Sequence, residues 1–392
     1  MSHTQRKILS ICYIYPRKLK YSFGEFLLYL TGELTKNKIY HVIALPYETE
    51  RCDFSENNLK TLEKAGAEIK FIQMHSSEIM KTLELIRLCK EVSPSLIHLH
   101  YIYPPYSLFN LYAELKDLPL IYSERMTPAP KNPLRDAIRK QIYTTRSKIF
   151  NSKSIRKIVC VSNFVKEEHI KHYGVSDNKL ITIYNGVNIE RFKKYEGTRI
   201  RSEFGVRPDI PVITCVAEIR KGKGVENFIK ASPFILEKIK NARFIIVGDG
   251  TLIQEIKKLI ERLNLTEFFI LTGQRNDVEK ILSISSVLIV PTSSTWPEAF
   301  GFTAAEGLSV GVPVIASDIG GLKEIVEHGK TGYLVPPDDP SEIAMKTISI
   351  LSNKVLSESF SENGIKRAKS YFSLDRMVQE HINLYLSVKN KM

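Results

Sequence analysis

The 392-residue sequence predicts an α/β protein built as two doubly wound, Rossmann-like domains with an interdomain cleft. Three observations predict it. Short Val/Ile/Leu-rich runs alternate with amphipathic stretches from end to end, as in parallel sheets joined by helical crossovers. The apolar runs are nearly continuous rather than alternating, which suits strands covered on both faces. The chain is also too long for one ordinary core, and its middle, from Asn188 to Pro211, is charged, lacks a long apolar run and carries Pro208 and Pro211.

In the first half the strand-like runs are Ile8–Ile14, His41–Leu45, Ile69–Gln73, Leu96–His100, Leu118–Tyr122, Lys157–Val161 and Leu180–Tyr184. Amphipathic segments such as Glu25–Lys36 and Ile79–Glu91 separate them, and Asn185-Gly186 is a turn dipeptide. The second series runs through Val212–Ile219, Arg243–Val247, Phe268–Leu271, Val287–Val290, Val314–Ala316 and Gly332–Val335. The last segment, Leu374–Val388, is amphipathic and suited to pack back across the domain boundary. The chain therefore divides into an N-terminal domain over 1–190, a linker over 191–210, a second domain over 211–370 and a C-terminal helix over 371–392 that packs on the first domain. Ligands of such sheets bind at the carboxyl ends of the strands.

Composition narrows the classes. With 43% hydrophobic and 25% charged residues the chain is globular, without repeats or low-complexity tracts. Its five cysteines (Cys12, Cys52, Cys89, Cys160, Cys215) are scattered and odd in number, which argues against a disulfide framework or zinc site and for a reducing compartment. No run approaches the roughly 18 apolar residues of a membrane span. Ile8–Tyr15 is followed by Pro16, Arg17, Lys18 and Lys20 without a small-residue cleavage site, so it reads as a buried strand and the protein as cytoplasmic.

The net charge of +13 points to anionic partners: nucleic acid, an anionic membrane surface or phosphorylated substrates. The basic residues lack the aromatic platform or recognition helix of a nucleic-acid binder, so no nucleic-acid partner is expected. From Arg125 to Lys157 ten Lys/Arg stand against one acid, Asp136. Leu134, Ile138 and Ile142 share a helical face there beside Arg135, Arg139 and Lys140. Such a segment suits peripheral contact with an anionic membrane, and equally a helix that covers the core with its basic face in solvent.

The stretch from Pro291 to Gly321 carries the chemistry. A strand ends at Pro291, Thr292–Pro297 form a polar loop, and Glu298-Ala299-Phe300-Gly301 turns the chain into a helix that carries Glu306. Phe300 and Gly301, followed by Phe302 and Thr303, bring backbone N–H groups to a helix N-terminus, where a phosphate gains from both the donors and the dipole. Two carboxylates eight residues apart can bracket a diphosphate, one toward a sugar and one toward a ribose, because that spacing rises about 12 Å along a helix.

Pro-Thr-x4-Pro-Glu298-Ala-Phe-Gly-x4-Glu306-Gly-x3-Gly-x-Pro-Val resembles the signature of the retaining GT-B glycosyltransferases of family 4, and the resemblance extends over nearly the whole chain. It implies a nucleotide-diphosphate sugar donor (UDP- or GDP-sugar), a glycan or lipid-linked acceptor of envelope polysaccharide synthesis, no cofactor, and metal-independent transfer with retention. No Asp-x-Asp motif supplies a metal clamp. In the family an Arg and a Lys after the first strand of the donor domain neutralise the diphosphate. Lys223-Gly224 matches the second part of that pattern; the expected Gly-Arg is Ala217-Glu218 here, with Arg220 two residues on. The resemblance also points to Gly248 in Val247-Gly248-Asp249-Gly250, with Asp249 read as a helix N-cap, and to Arg275 after Thr272-Gly273.

In the first half, Ser22-Phe23-Gly24-Glu25-Phe26 is similar to the family's glycine loop, with Gly24 aimed at the leaving phosphate or the acceptor. His98-Leu-His100-Tyr101 resembles its His-x-His segment; strand alternation puts both rings on one side, with His98 read as structural. Where the family carries a catalytic-site His, this chain has Tyr122-Ser123-Glu124-Arg125, which leaves Glu124, Arg125 or His100 to serve beside the catalytic Glu298. Rival readings are a GT-B nucleotide-sugar epimerase, a non-catalytic nucleotide-sugar sensor and a nucleic-acid-binding protein.

Overall fold

In the computed structural model, residues 6–12, 22–47, 55–73, 77–101, 107–125 and 147–389 are described. Pro16–Lys20 and the basic stretch with Leu134, Ile138 and Ile142 lie outside them. Contacts divide the chain into two units, Met1–Gly186 with Leu374–Met392, and Val187–Ser373.

The first unit holds seven strands: β1 (Lys7–Cys12), β2 (Tyr40–Pro46), β3 (Ala67–Ile72), β4 (Leu96–His100), β5 (Leu120–Glu124), β6 (Ile155–Cys160) and β7 (Leu180–Thr182). They lie in the order β3-β2-β1-β4-β5-β6-β7, and every pairing is parallel. The chain winds one way from β1 to β3, then the other way from β4, so the switch point lies between β1 and β4. Leu9, Ile11, Val42, Ile43, Ile97 and Leu99 are buried on both faces of this sheet, which explains the unbroken apolar runs.

Helix Ser22–Lys36 sends Phe23, Phe26, Leu27, Leu30 and Leu34 into the core at helical spacing. Helix Leu374–Lys389 joins the same cluster through Leu374, Met377, Val378, Ile382 and Tyr385. Helix Asn163–Tyr173 starts where Ser162 Oγ accepts from Val165 N (3.2 Å) and ends at Gly174 in the left-handed region.

The second unit repeats the design with β8 (Val212–Val216), β9 (Arg243–Val247), β10 (Phe269–Gly273), β11 (Val287–Val290), β12 (Val314–Ser317) and β13 (Gly332–Val335). Their order is β10-β9-β8-β11-β12-β13, all parallel, with the switch point between β8 and β11. Phe244 and Phe269 stack in its core (4.9 Å) with Phe228 edge-on to both (5.8 and 5.9 Å). The stretch 191–210 is more than a linker. It contains helix Thr198–Glu203 and sends Ile200, Val206 and Ile210 into a cluster with Val212, Ile245 and Ile281.

No helix among the described residues is long and apolar enough to cross a membrane. Cys12, Cys89, Cys160 and Cys215 are free and buried.

Candidate active site

The loops that leave β8 and β11 at their carboxyl ends meet at the switch point of the second unit. Lys223, on the β8 loop, donates from Nζ to Glu298 Oε1 on the β11 loop (2.6 Å), and Thr292 Oγ1 adds a bond to the same oxygen (3.3 Å). Both charged side chains keep about a fifth of their surface in solvent, 22% and 21%, so the pair is accessible and exchangeable. The two loops are held together by backbone. Ser293 N donates to Gly222 O (3.1 Å), and Gly224, at φ +67°, passes so close to Pro291 that a Cβ there would sit 1.8 Å from its carbonyl oxygen. No other residue fits that approach.

Glu298 is fixed from its other side by Gly321 N, which donates to Glu298 O (2.8 Å). The chain then turns through Gly301 (φ +107°), whose missing side chain leaves room for Leu322, 2.6 Å from where a Cβ would stand. Helix Phe302–Val310 begins there. Its ladder opens with Ala304 N and Ala305 N donating to Gly301 O (3.1 and 3.2 Å), which leaves the N–H groups of Phe302 and Thr303 ahead of it, at the positive end of the dipole.

Phe300 is a buried anchor, edge-on to Phe302 (5.2 Å) and Phe372 (5.8 Å); it positions the turn through its ring. Thr303 Oγ1 donates to Val216 O at the end of β8 (3.4 Å). Glu306, half-buried, is three residues on and shares that side of the helix. The structure thus joins Lys223 to Glu298 just ahead of the turn at Gly301 that opens helix Phe302–Val310, on which Thr303 and Glu306 share a side.

Three other expected donor residues are engaged differently. Arg220 is tied to Glu218 (2.8 Å) and lies over the Trp296 ring (5.7 Å), so the residue two places past the family's arginine position braces the loop. Arg275 is gripped by Asp277 (2.9 Å) and Glu203 (2.6 Å), and these hydrogen bonds, Asp277's first, raise its pKa above the ordinary arginine value. An incoming anion would have to displace two carboxylates there. Gly248 is a joint in the sheet, its N–H donating to Gly273 O (2.9 Å). Asp249 is not the helix cap: its Oδ1 accepts from Gly250 N (2.7 Å) in a local turn, and helix Ile253–Arg262 begins only after Leu252.

In the first unit His98 and His100 lie on the same side of β4, ring centroids 3.8 Å apart. His98 is held between Tyr385 Oη (2.6 Å) and Ser123 Oγ (2.8 Å), a structural role. His100 is fully buried and neither ring nitrogen has a hydrogen-bond partner. Burial drives both histidines well below their usual pKa, with the His100 charge as the next cause at His98 and Arg125 at His100.

Arg125 lies on the same side. Its guanidinium covers the rings of Phe23 (5.0 Å) and Phe26 (5.1 Å), and Nη1 donates to Asn185 Oδ1 (2.8 Å). Glu124 does not join them. Adjacent strand residues face opposite ways, and its buried carboxylate meets His169 (3.3 Å) on the helix Asn163–Tyr173 instead. Gly24 sits in the first turn of helix Ser22–Lys36, beside those aromatic rings. The contacts of Arg125 with Asn185 and of His98 with Tyr385 span 60 and 287 residues, and no sequence signal announced them.

Comparison with known proteins agrees with this division. Residues 26–191 match the model of Glycosyltransferase Family 4, and residues 197–367 that of Glycosyl transferases group 1. The chain is 30% identical over 235 residues to glycosyltransferase MJ1607 of Methanocaldococcus jannaschii, covering 58% of this chain and 59% of that one. It is 30% identical over 282 residues to MJ1178 of the same organism, covering 70% and 71%. The match thus spans little more than half of the first relative. Among solved structures, Anabaena Alr3699/HepE in complex with UDP has the same fold, with a TM-score of 0.80, 18% identity and coverage of 97% and 100%.

Proposed function

The chain belongs to the GT-B glycosyltransferases of family 4, glycosyl transferases group 1, and on that premise we propose that it transfers a glycosyl group from a nucleoside-diphosphate sugar, with retention and without a metal, to a glycan or lipid-linked acceptor of envelope polysaccharide. The observation that carries the reading is the Lys223–Glu298 pair beside the start of helix Phe302–Val310.

Each part has a task in such a transfer. The bond between sugar and diphosphate breaks with negative charge growing on the phosphate. Lys223 and the N–H groups of Phe302 and Thr303 are fixed before the reaction and act on that charge when it develops. Glu298 holds Lys223 in the resting site; when a diphosphate takes the ammonium, the carboxylate turns to the donor sugar's hydroxyls and supports the oxocarbenium-like charge. Glu306, one turn into the helix, suits the ribose hydroxyls. Among the described residues, no group of three or more His, Cys, Asp or Glu is placed to hold a metal ion.

The acceptor side rests on the first unit, and the work is proposed to take place in the cytoplasm at the inner membrane face, a reading motivated by the basic stretch from Arg125 to Lys157. HepE is solved with UDP, so UDP is the first nucleotide to try. A thermal-shift panel of UDP, GDP and ADP with their sugars should show one diphosphate that raises the melting temperature by mass action, while the matching nucleoside does not. Glu298→Gln should keep that binding and lose turnover of the donor. A chain stabilised by no nucleotide, or a Glu298→Gln variant with full turnover, overturns the reading.

A further inference from the structure

Arg125 stands at the carboxyl ends of the central strands of the first unit. Cys12, which ends β1, is in register with His100, which ends β4; His100 is in register with Ser123, and Arg125 follows two residues on. This is the switch point of the sheet, where doubly wound folds take ligands. The guanidinium lies within 5.0–5.9 Å of the Phe23, Phe26 and Tyr101 ring centres, and its Nε is enclosed without a hydrogen bond. Its one hydrogen bond among the described residues goes to a neutral amide, Asn185, and it forms no ion pair there.

His100 packs against the same two phenylalanines (5.3 and 6.0 Å) with both nitrogens unpartnered. Helix Ser22–Lys36 also points its N-terminal end here, with Phe23 in its first turn.

A guanidinium taken out of water is costly unless an anion completes it. Arginine's planar fork, held by an amide and stacked on aromatic rings, suits a carboxylate or phosphate that presents two oxygens. His100, neutral, has a ring N–H to add. We propose that Arg125 anchors an anion subsite in the first unit, and that the group it takes is a carboxylate or phosphate carried by the acceptor. The proposed function gives the donor diphosphate to Lys223 in the second unit, which leaves the first unit's cation for the other substrate. The subsite deepens the glycosyl-transfer reading and rests on it for the word acceptor. The binding itself is independent of that reading.

The test uses malonate and inorganic phosphate as probes on the full chain, titrated by calorimetry with and without saturating UDP. The wild-type protein should bind malonate or phosphate in both conditions. Arg125→Met should weaken malonate binding at least tenfold while UDP affinity changes less than threefold, and Lys223→Met should weaken UDP about 5- to 30-fold while malonate binding changes less than threefold. Asn185→Asp gives a second, well-packed variant: it sets a carboxylate where an amide now accepts from Nη1, so it should block malonate and leave UDP alone.

If Arg125→Met or Asn185→Asp leaves malonate and phosphate binding unchanged, the subsite does not exist. If Arg125→Met weakens UDP instead, the anion belongs to the donor and the acceptor assignment is wrong. If UDP fails to bind at all while malonate binding still depends on Arg125, the glycosyl-transfer reading falls and the anion subsite survives it.

Discussion

Replacing Lys223 by Met removes the ammonium that pairs with Glu298, and its consequences can be worked from the geometry. A charge-assisted hydrogen bond to a phosphate contributes about 1.5–3 kcal/mol. Lys223 gives up its 2.6 Å contact with Glu298 to make that bond, and a pair this open to solvent contributes only about 0.2–1 kcal/mol. The net is roughly 1–2 kcal/mol, or about 5- to 30-fold in the Kd for UDP. Fold stability should change by less than about 1 kcal/mol, because the site is one-fifth exposed and Glu298 keeps Thr292 and water. Uridine, which has no phosphate, should bind the variant and the wild type equally. Titration calorimetry with UDP and uridine separates the cases. Unchanged UDP affinity, or an equal loss for uridine, would refute the role given to Lys223.

Three further outcomes follow from the same contacts. Gly301→Val forces a β-branched residue to φ +107° and drives Cβ to 2.6 Å from Leu322; it should cost about 2–4 kcal/mol in urea unfolding, and a cost below about 0.5 kcal/mol would show the turn is not constrained. Tyr385→Phe strips His98 of the partner at Nδ1, so unfolding free energy should fall by about 1–3 kcal/mol, and no change would mean the contact contributes nothing. Four of the histidines buried in the first unit, His41, His98, His100 and His381, have folded pKa values depressed by burial, His41 and His381 to about 3. Their stabilisation is present above the unfolded value near pH 6.5 and is lost as pH falls through that point toward 3. Each adds a slope of about 1.4 kcal/mol per pH unit in that window, so urea midpoints should drop steeply between pH 6.5 and 5, and a flat profile would contradict burial of neutral rings.

The strands were legible because β4, β8, β9, β11 and β12 are covered on both faces, so apolar residues dominate both sides of each, with only buried polar exceptions such as His98, His100 and Thr214. Lys223, Glu298 and the start of helix Phe302–Val310 were legible for a different reason: they lie on loops whose glycines and prolines are dictated by backbone approach, which leaves a local mark in the sequence. Helix Thr198–Glu203 was not, because six residues with one buried position, Ile200, carry no measurable periodicity. Asp249 looked like a cap because its glycine neighbours resemble a helix start; the helix begins later, past a turn the dipeptide pattern cannot fix.

Glu124 and Arg125 show the same limit at the site. Their opposite orientations follow from strand alternation, yet which one faces His100 depends on the register of β4 with β5, and register is a tertiary fact. Arg275 and Arg220 are the reverse case. The carboxylates that hold them, Glu203, Asp277 and Glu218, became visible only when the chain was folded.

The central claim is that a diphosphate is received between Lys223 and the first turn of helix Phe302–Val310. A crystal structure of the chain grown with UDP tests it most directly. The account predicts phosphate oxygens within about 3.2 Å of Lys223 Nζ and of the N–H groups of Phe302 and Thr303, with Lys223 drawn off Glu298. A diphosphate bound elsewhere, with the Lys223–Glu298 contact intact and that helix end untouched, would contradict it.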